Sequence, residues 1–232
     1  MTTTPLSPDT ILFRYMDFAK FVALLQSKKL RFTRLSEFRD KQEGRFYNRE
    51  IERRYFSKAF LDSFGLEYSG IGGLTDYGYE QLRASAETTY TSSFASCWTI
   101  DDEPSDLMWL AYAPNLGVAI QTTIRQLTES LPGIDVHEWD LHHGPCSYQP
   151  QDYNPLYQKR PRFKGEREYR VCYSKGFKTD EKGCTLPINL EKLLTKVCIS
   201  PLGGSDWLVD VVRKELVLHD LPDVPVGLDS LD

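Results

Sequence analysis

Two glutamates, Glu166 and Glu168, stand two apart in the stretch RFKGEREYRVCYS. On a strand that began early enough they would project from the same face. Like charges held together cost free energy unless a cation or a polar ligand compensates them. Such a pair is therefore either a solvated ladder of salt bridges or a site for chemistry. In the second case a carboxylate is available to hold a ribose hydroxyl or stabilise an electron-poor sugar carbon. Six cations, among them Lys159, crowd this segment from Lys159 to Arg170. Arg14 interrupts the apolar run ILFRYM with Tyr15 beside it, and a long cation inside a strand either snorkels or points at an anion. Ser93 and Ser96 alternate with Phe94 and Trp98 in SSFASCW, a lining able to hydrogen-bond a sugar and pack a ring. Trp109 and Tyr112 could stack on a ligand ring such as nicotinamide or adenine, although packing in the core, where Met108 is expected, accounts for them more simply. These residues together describe a site for a ligand carrying both phosphate and ring.

Other candidates are thinner. Asp140, His142 and His143 in HEWDLHHG could serve a metal-dependent hydrolase, although histidines of a hairpin explain them equally well, and no metal site is expected. The five cysteines, Cys97, Cys146, Cys172, Cys184 and Cys198, lack any C-x-x-C spacing and read as buried free thiols of a reducing cytoplasm. The GIGG at Gly70–Gly73 follows no strand and precedes no GK[ST], so it is not a phosphate loop.

The elements that must position these groups follow from hydrophobic period. Strand, helix and strand succeed one another at ILFRYM, at DFAKFVALLQSKKL with Asp17 as N-cap, and at LRFTRL. Residues 48–64 and 79–91 have helical spacing around a loop with five glycines. FASCW and GVAIQTT read as strands flanking the helix EPSDLMWLAYA, and TIRQLTESL as a short helix closed by Pro132 and Gly133. Further strands are expected near 134–140, 144–148, 167–174 and 196–200, with a helix over 206–212. The order implies an α/β or α+β domain over residues 10–221, with loose tails at 1–9 and 222–232.

The 232 residues are 41% hydrophobic and 26% charged, ordinary for a globular chain, with no apolar run of membrane-spanning length and no signal-like N-terminus. Net charge is −5, but residues 1–60 carry 13 Lys/Arg against 7 Asp/Glu and residues 151–200 carry 11 against 6. Were these two blocks to meet, they would form a positive cleft suited to phosphates.

The chain resembles the domain of unknown function 2971 family from about Ile11 to Leu218. The likeness lies in ILFRYMDFAKFVALLQSKKLRFTRLSEFRDKQEG, in SFASCWTIDDEPSDLMWLAYAPNLGVAIQT, and in Lys159, Phe163, Glu166, Glu168 and Arg170 of KRPRFKGEREYR. Arg14 stands where that family commonly has lysine, Phe163 where it commonly has tryptophan, and FRDKQEG lacks the usual asparagine-aspartate-proline. More loosely, an arginine on the first strand, a serine on a middle strand and a later E-x-E is similar to the plan of ADP-ribosyltransferases. That likeness implies a mixed, split β-sheet with flanking helices and NAD as substrate. Arg14 would hold NAD phosphates or ribose, Ser93 or Ser96 would support the nicotinamide ribose, Glu168 would hold a ribose hydroxyl and stabilise the cationic sugar as nicotinamide leaves, Glu166 would orient or deprotonate the acceptor, and no metal would be needed. A bacterial toxin or anti-phage effector modifying a macromolecule is then the expected role. The alternative from another class is a non-catalytic module whose basic cleft binds nucleic acid or protein.

Overall fold

The computed structural model describes residues 6–41, 43, 76–131, 140–149, 154–175, 179–203 and 206–229. The expected helix at 48–64, most of the glycine-rich loop and all but the last residue of the strand expected near 134–140 lie outside these residues. The elements are β1 (Ile11–Asp17), α1 (Phe18–Ser27), β2 (Lys29–Arg34), a 3-10 turn (Leu35–Glu37), α2 (Asp76–Ser92), β3 (Ser93–Ile100), α3 (Asp106–Tyr112) and β4 (Gly117–Thr123). They continue with α4 (Ile124–Ser130), β5 (Asp140–Pro145), a second 3-10 turn (Pro161–Glu166), β6 (Glu168–Ser174), β7 (Gly183–Pro187), α5 (Leu190–Leu193), β8 (Lys196–Ile199), α6 (Asp206–Leu218) and β9 (Val226–Leu228).

The fold is α+β, a mixed and largely antiparallel sheet flanked by helices. Strand order is β5-β6-β3-β1-β4-β8-β9, with β2 and β7 branching from β3. The branch is a fork. One edge of β3 pairs with β6 over its whole length, from Ser93↔Ser174 to Thr99↔Glu168. Its other edge is shared: Ala95 and Phe94 pair with Thr33 and Arg34 of β2, whereas Thr99 and Ile100 pair with Phe13 and Leu12 of β1. Only β8 and β9 run parallel among the paired strands.

Period-2 alternation assigns the two faces. On one, Leu12, Trp98, Val118, Ile120, Tyr169 and Val171 form the main core with the apolar sides of α1, α4 and α6. The other face is patchier: Phe13, Tyr15, Ala119 and Cys198 pack under Met108 and Trp109 of α3, and Ala95 and Cys172 under Tyr90 of α2. Helix starts are set locally, with the Lys20 amide donating to Asp17 Oδ1 at 2.8 Å and the Gln126 amide to Thr123 Oγ1 at 3.2 Å.

Two expectations about the ends change. Val226–Leu228, expected as a loose tail, adds a parallel strand to β8, because Val224 and Val226 pack on the main core and the Val197 amide donates to the Pro225 carbonyl at 2.9 Å. At the other end, Asp9 pairs with Arg125 at 3.1 Å and Pro8 accepts from the Arg125 amide at 2.8 Å. The short β7 and α5 were not anticipated, since five and four residues carry too little periodicity to register.

Gly117 lets α3 turn directly into β4. A Cβ there would stand 2.3 Å from the Ala113 carbonyl oxygen and 2.8 Å from Ala113 Cβ, neither of which is a flexible tip. Gly117→Ala is therefore expected to destabilise the fold by about 1–3 kcal/mol through overpacking. Urea denaturation of the purified variant checks this.

Candidate functional site

Lys159 is the hub of a buried cluster of charges at the start of β6. Its ammonium lies 2.5 Å from Glu166 Oε2, is ion-paired with Glu168 Oε2, and is 3.8 Å from Glu43 Oε1. Glu168 turns its other oxygen to Arg170 Nε at 2.5 Å. Arg170 also pairs with Glu43, donates to the Leu156 carbonyl at 2.7 Å and lies 5.3 Å from the centre of the Phe38 ring. Glu43, Lys159, Glu168 and Arg170 are all buried. The cluster opens to solvent at Glu166 and at Tyr112, an exposed ring whose hydroxyl donates to Glu166 Oε2 at 3.0 Å.

The two glutamates meet by a different route from the one expected. β6 begins only at Glu168, while Glu166 ends the 3-10 turn and Arg167 between them takes a left-handed conformation, φ 42°. The turn, not the pleat, brings both carboxylates to one lysine. The basic blocks meet as well, but not as a positive cleft: cations of the second block are matched to acids of the first, Arg170 with Glu43 and Arg160 with Asp40 at 2.6 Å. Glu43 and Arg170 were not candidates in their own right. Their only sequence signals were the acids of FRDKQEG and the arginine two places after the E-x-E.

Three carboxylates, Glu43, Glu166 and Glu168, thus surround two cations, Lys159 and Arg170. Burial alone would lower the Lys159 ammonium, but the charges of Glu168 and Glu166 outweigh it and hold the group above the ordinary lysine value. Burial raises Glu168, with Lys159 opposing. Burial also pushes Arg170 down to about 10. Burial for Glu168 and the neighbouring carboxylates for Lys159 thus make both groups favour the protonated form.

Arg14 belongs to a second group. The β1–β3 register pairs Phe13 with Thr99, and Thr99 pairs with Glu168, so these three share a face. Arg14, one residue on, falls on the opposite face. It donates to Ser96 Oγ and, at 3.1 Å, to the Arg31 carbonyl, and its guanidinium is 5.7 Å from the Trp98 ring centre. Ser96 also accepts from Trp98 Nε1 at 3.1 Å. The expected single cleft shared by Arg14 and Glu168 is therefore not what the pleat gives. Arg14 spans the fork between β1 and β2, and burial lowers it to about 10. Cys97 lies between the groups: its thiol is pushed well up by burial and by a hydrogen-bonded Glu168, against Lys159 and Arg14.

The remaining candidates have structural partners. Ser93 is fully buried, 3.2 Å from Ser174 Oγ. Tyr15 is buried and accepts from the Ser105 amide at 2.7 Å, holding the start of α3. Trp109 is completely buried, edge-on to Tyr15 at 4.8 Å and donating to Asp229 Oδ2 at 2.7 Å, so no ligand ring can stack on it. Met108 is core, as expected. His142 and His143 are consecutive on β5 and project to opposite sides, and His143 Nδ1 meets the Tyr169 hydroxyl at 2.5 Å. Among the described residues no group of three His, Cys, Asp or Glu side chains could hold a metal ion.

All five cysteines are free. Burial raises Cys172 to about 12 and Cys198 to about 11, from an ordinary 9.0. A group raised on folding contributes stability fully present below its unfolded pKa and lost as pH rises through the folded one. Stability measured by urea titration should therefore be insensitive to these thiols below about pH 9 and fall between about pH 9 and 12. A flat profile across that window would contradict the burial of the thiols.

Fold and site define an α+β protein with a buried carboxylate–cation cluster beside a forked sheet. No protein-family model matches the chain, and no curated protein is similar to it. Among the described residues no helix is long and apolar enough to cross a membrane.

Proposed function

We propose that this chain is an ADP-ribosyltransferase-like enzyme that uses NAD as substrate to modify a macromolecule, with the Glu166–Lys159–Glu168 cluster as its chemical centre. The observation that supports this most is the pair of carboxylates joined by one lysine, with Glu168 buried and Glu166 at the opening. In this reading a ribose hydroxyl of NAD takes the place of Lys159 at Glu168 Oε2, and the freed ammonium meets a phosphate. The bond from ribose C1′ to nicotinamide breaks with its electron pair leaving on nicotinamide, and Glu168 stabilises the cationic sugar. The acceptor nucleophile bonds to C1′ and gives its proton to Glu166. Arg14 then serves the sheet rather than the ligand. Toxin or anti-phage action is a natural biological setting for such chemistry.

A second reading, a non-catalytic binding module, is favoured by a specific observation: both oxygens of Glu168 are already ion-paired. There the cluster would only fasten the 35–43 segment to the sheet. Incubating the protein with adenylate-labelled NAD and cell extract separates the two. The first reading expects label on protein, RNA or DNA and free nicotinamide. Intact NAD at every protein concentration would leave the binding module, whose own mark is salt-steep nucleic-acid affinity or a stable protein complex.

A further inference from the structure

Glu166 has two bonded partners among the described residues, both on Oε2: the Lys159 ammonium at 2.5 Å and the Tyr112 hydroxyl at 3.0 Å. The first is a cation that goes on to pair with Glu168 Oε2. The second is a nucleophile. Three consecutive contacts therefore lead from the Tyr112 oxygen through Glu166 and Lys159 to the carboxylate at which the sugar would react. Tyr148, the other hydroxyl beside the glutamates, accepts from the Glu168 backbone amide at 2.8 Å and is bonded to neither carboxylate. Tyr112 ends α3, and its ring is 48% exposed, so a bulky group on its oxygen can lie in solvent. Partial burial and the Glu166 charge push the phenol well above its ordinary value. It stays protonated at neutral pH and needs a base to react, and Glu166 is already bonded to it.

We propose, resting on the ADP-ribosyltransferase reading, that Tyr112 is itself an acceptor and that the chain transfers ADP-ribose from NAD to its own Tyr112 hydroxyl. The bond from ribose C1′ to nicotinamide breaks with its electron pair on nicotinamide, the Tyr112 oxygen bonds to C1′, and the phenol proton passes to Glu166. The product is an aryl glycoside. A nucleophile held at its base in the same chain reacts at an effective concentration far above that of a dissolved acceptor.

The full chain incubated alone with adenylate-labelled NAD, then digested and mapped by mass spectrometry, tests this. An ADP-ribose mark is expected on the peptide carrying Tyr112. It should resist hydroxylamine, which cleaves sugar esters of carboxylates but not aryl glycosides, so a mark on nearby Glu103 or Asp106 is told apart. The labelled fraction at a fixed time should not change when the protein is diluted, because base and acceptor belong to one chain. Tyr112→Phe should lose the mark, and Glu166→Gln should slow it by about 10²-fold or more. Circular dichroism checks that both variants fold, as the changes remove one exposed hydroxyl and one charge at the opening. Free nicotinamide with no resistant mark on that peptide, or labelling that falls on dilution, would overturn self-transfer to Tyr112 while leaving the enzyme reading intact. Intact NAD at every protein concentration would overturn both.

Discussion

Glu168→Gln is expected to lower NAD cleavage by roughly 10²-fold or more with little change in NAD affinity, because the lost charge acts mainly on the cationic sugar of the transition state. The same substitution also disturbs structure. Glu168 is buried against Lys159 and Arg170, and removing one partner of a buried pair costs about 3–5 kcal/mol. Activity must therefore be compared with a variant that damages the cluster without touching the chemistry. Glu43→Gln is that control: Glu43 is equally buried and pairs with Arg170, but it has no part in the proposed reaction. If Glu168→Gln is inactive while Glu43→Gln, similarly destabilised, turns over NAD, the catalytic reading stands. Glu166→Gln should spare slow NAD hydrolysis and reduce transfer to the acceptor. Equal activity in all three variants, assayed where each is folded, would reduce the pair to a structural ion network.

Arg170→Met is expected to cost the most stability, about 3–5 kcal/mol. Arg170 is completely inaccessible, yet it bonds Glu43 on one side, Glu168 on the other and the Leu156 carbonyl between. Methionine fills much of the volume but leaves Glu43 and Glu168 with only Lys159 as counter-charge. At roughly 2–4 °C per kcal/mol for a chain of this size, the melting temperature should drop by about 6–20 °C. Arg170→Met combined with Glu43→Leu should lose less than the two single losses added together, since the second change removes the carboxylate that the first stranded. Calorimetry of the four proteins measures that coupling. Strict additivity would mean that the two side chains are not partners in solution.

Much of the framework was legible in the chain, and for a physical reason: hydrophobic period is a local property. ILFRYM and GVAIQTT had to be strands because their apolar residues need a pleated surface, and Asp17 had to begin a helix because its carboxylate meets a free amide. That Glu166 and Glu168 need a compensating cation was legible too, since like charges two apart demand one. Their partner was not. Lys159 precedes Glu166 by seven residues, and only the 3-10 turn, closed by the left-handed Arg167, folds it back between the carboxylates.

Long-range matters were decided by the tertiary structure alone. Arg14 looked like a ligand for an anion because a strand buries it, but which face it takes depends on the register of β1 against β3, and one residue of register changes the face. Trp109 and Tyr112 are three apart on one helix, and no sequence pattern could say that one lies under Tyr15 while the other reaches Glu166. Glu43 and Arg170 are separated by 127 positions. A charge names its need for a partner in the sequence, but only the fold, by bringing distant segments into one desolvated space, chooses which partner answers it.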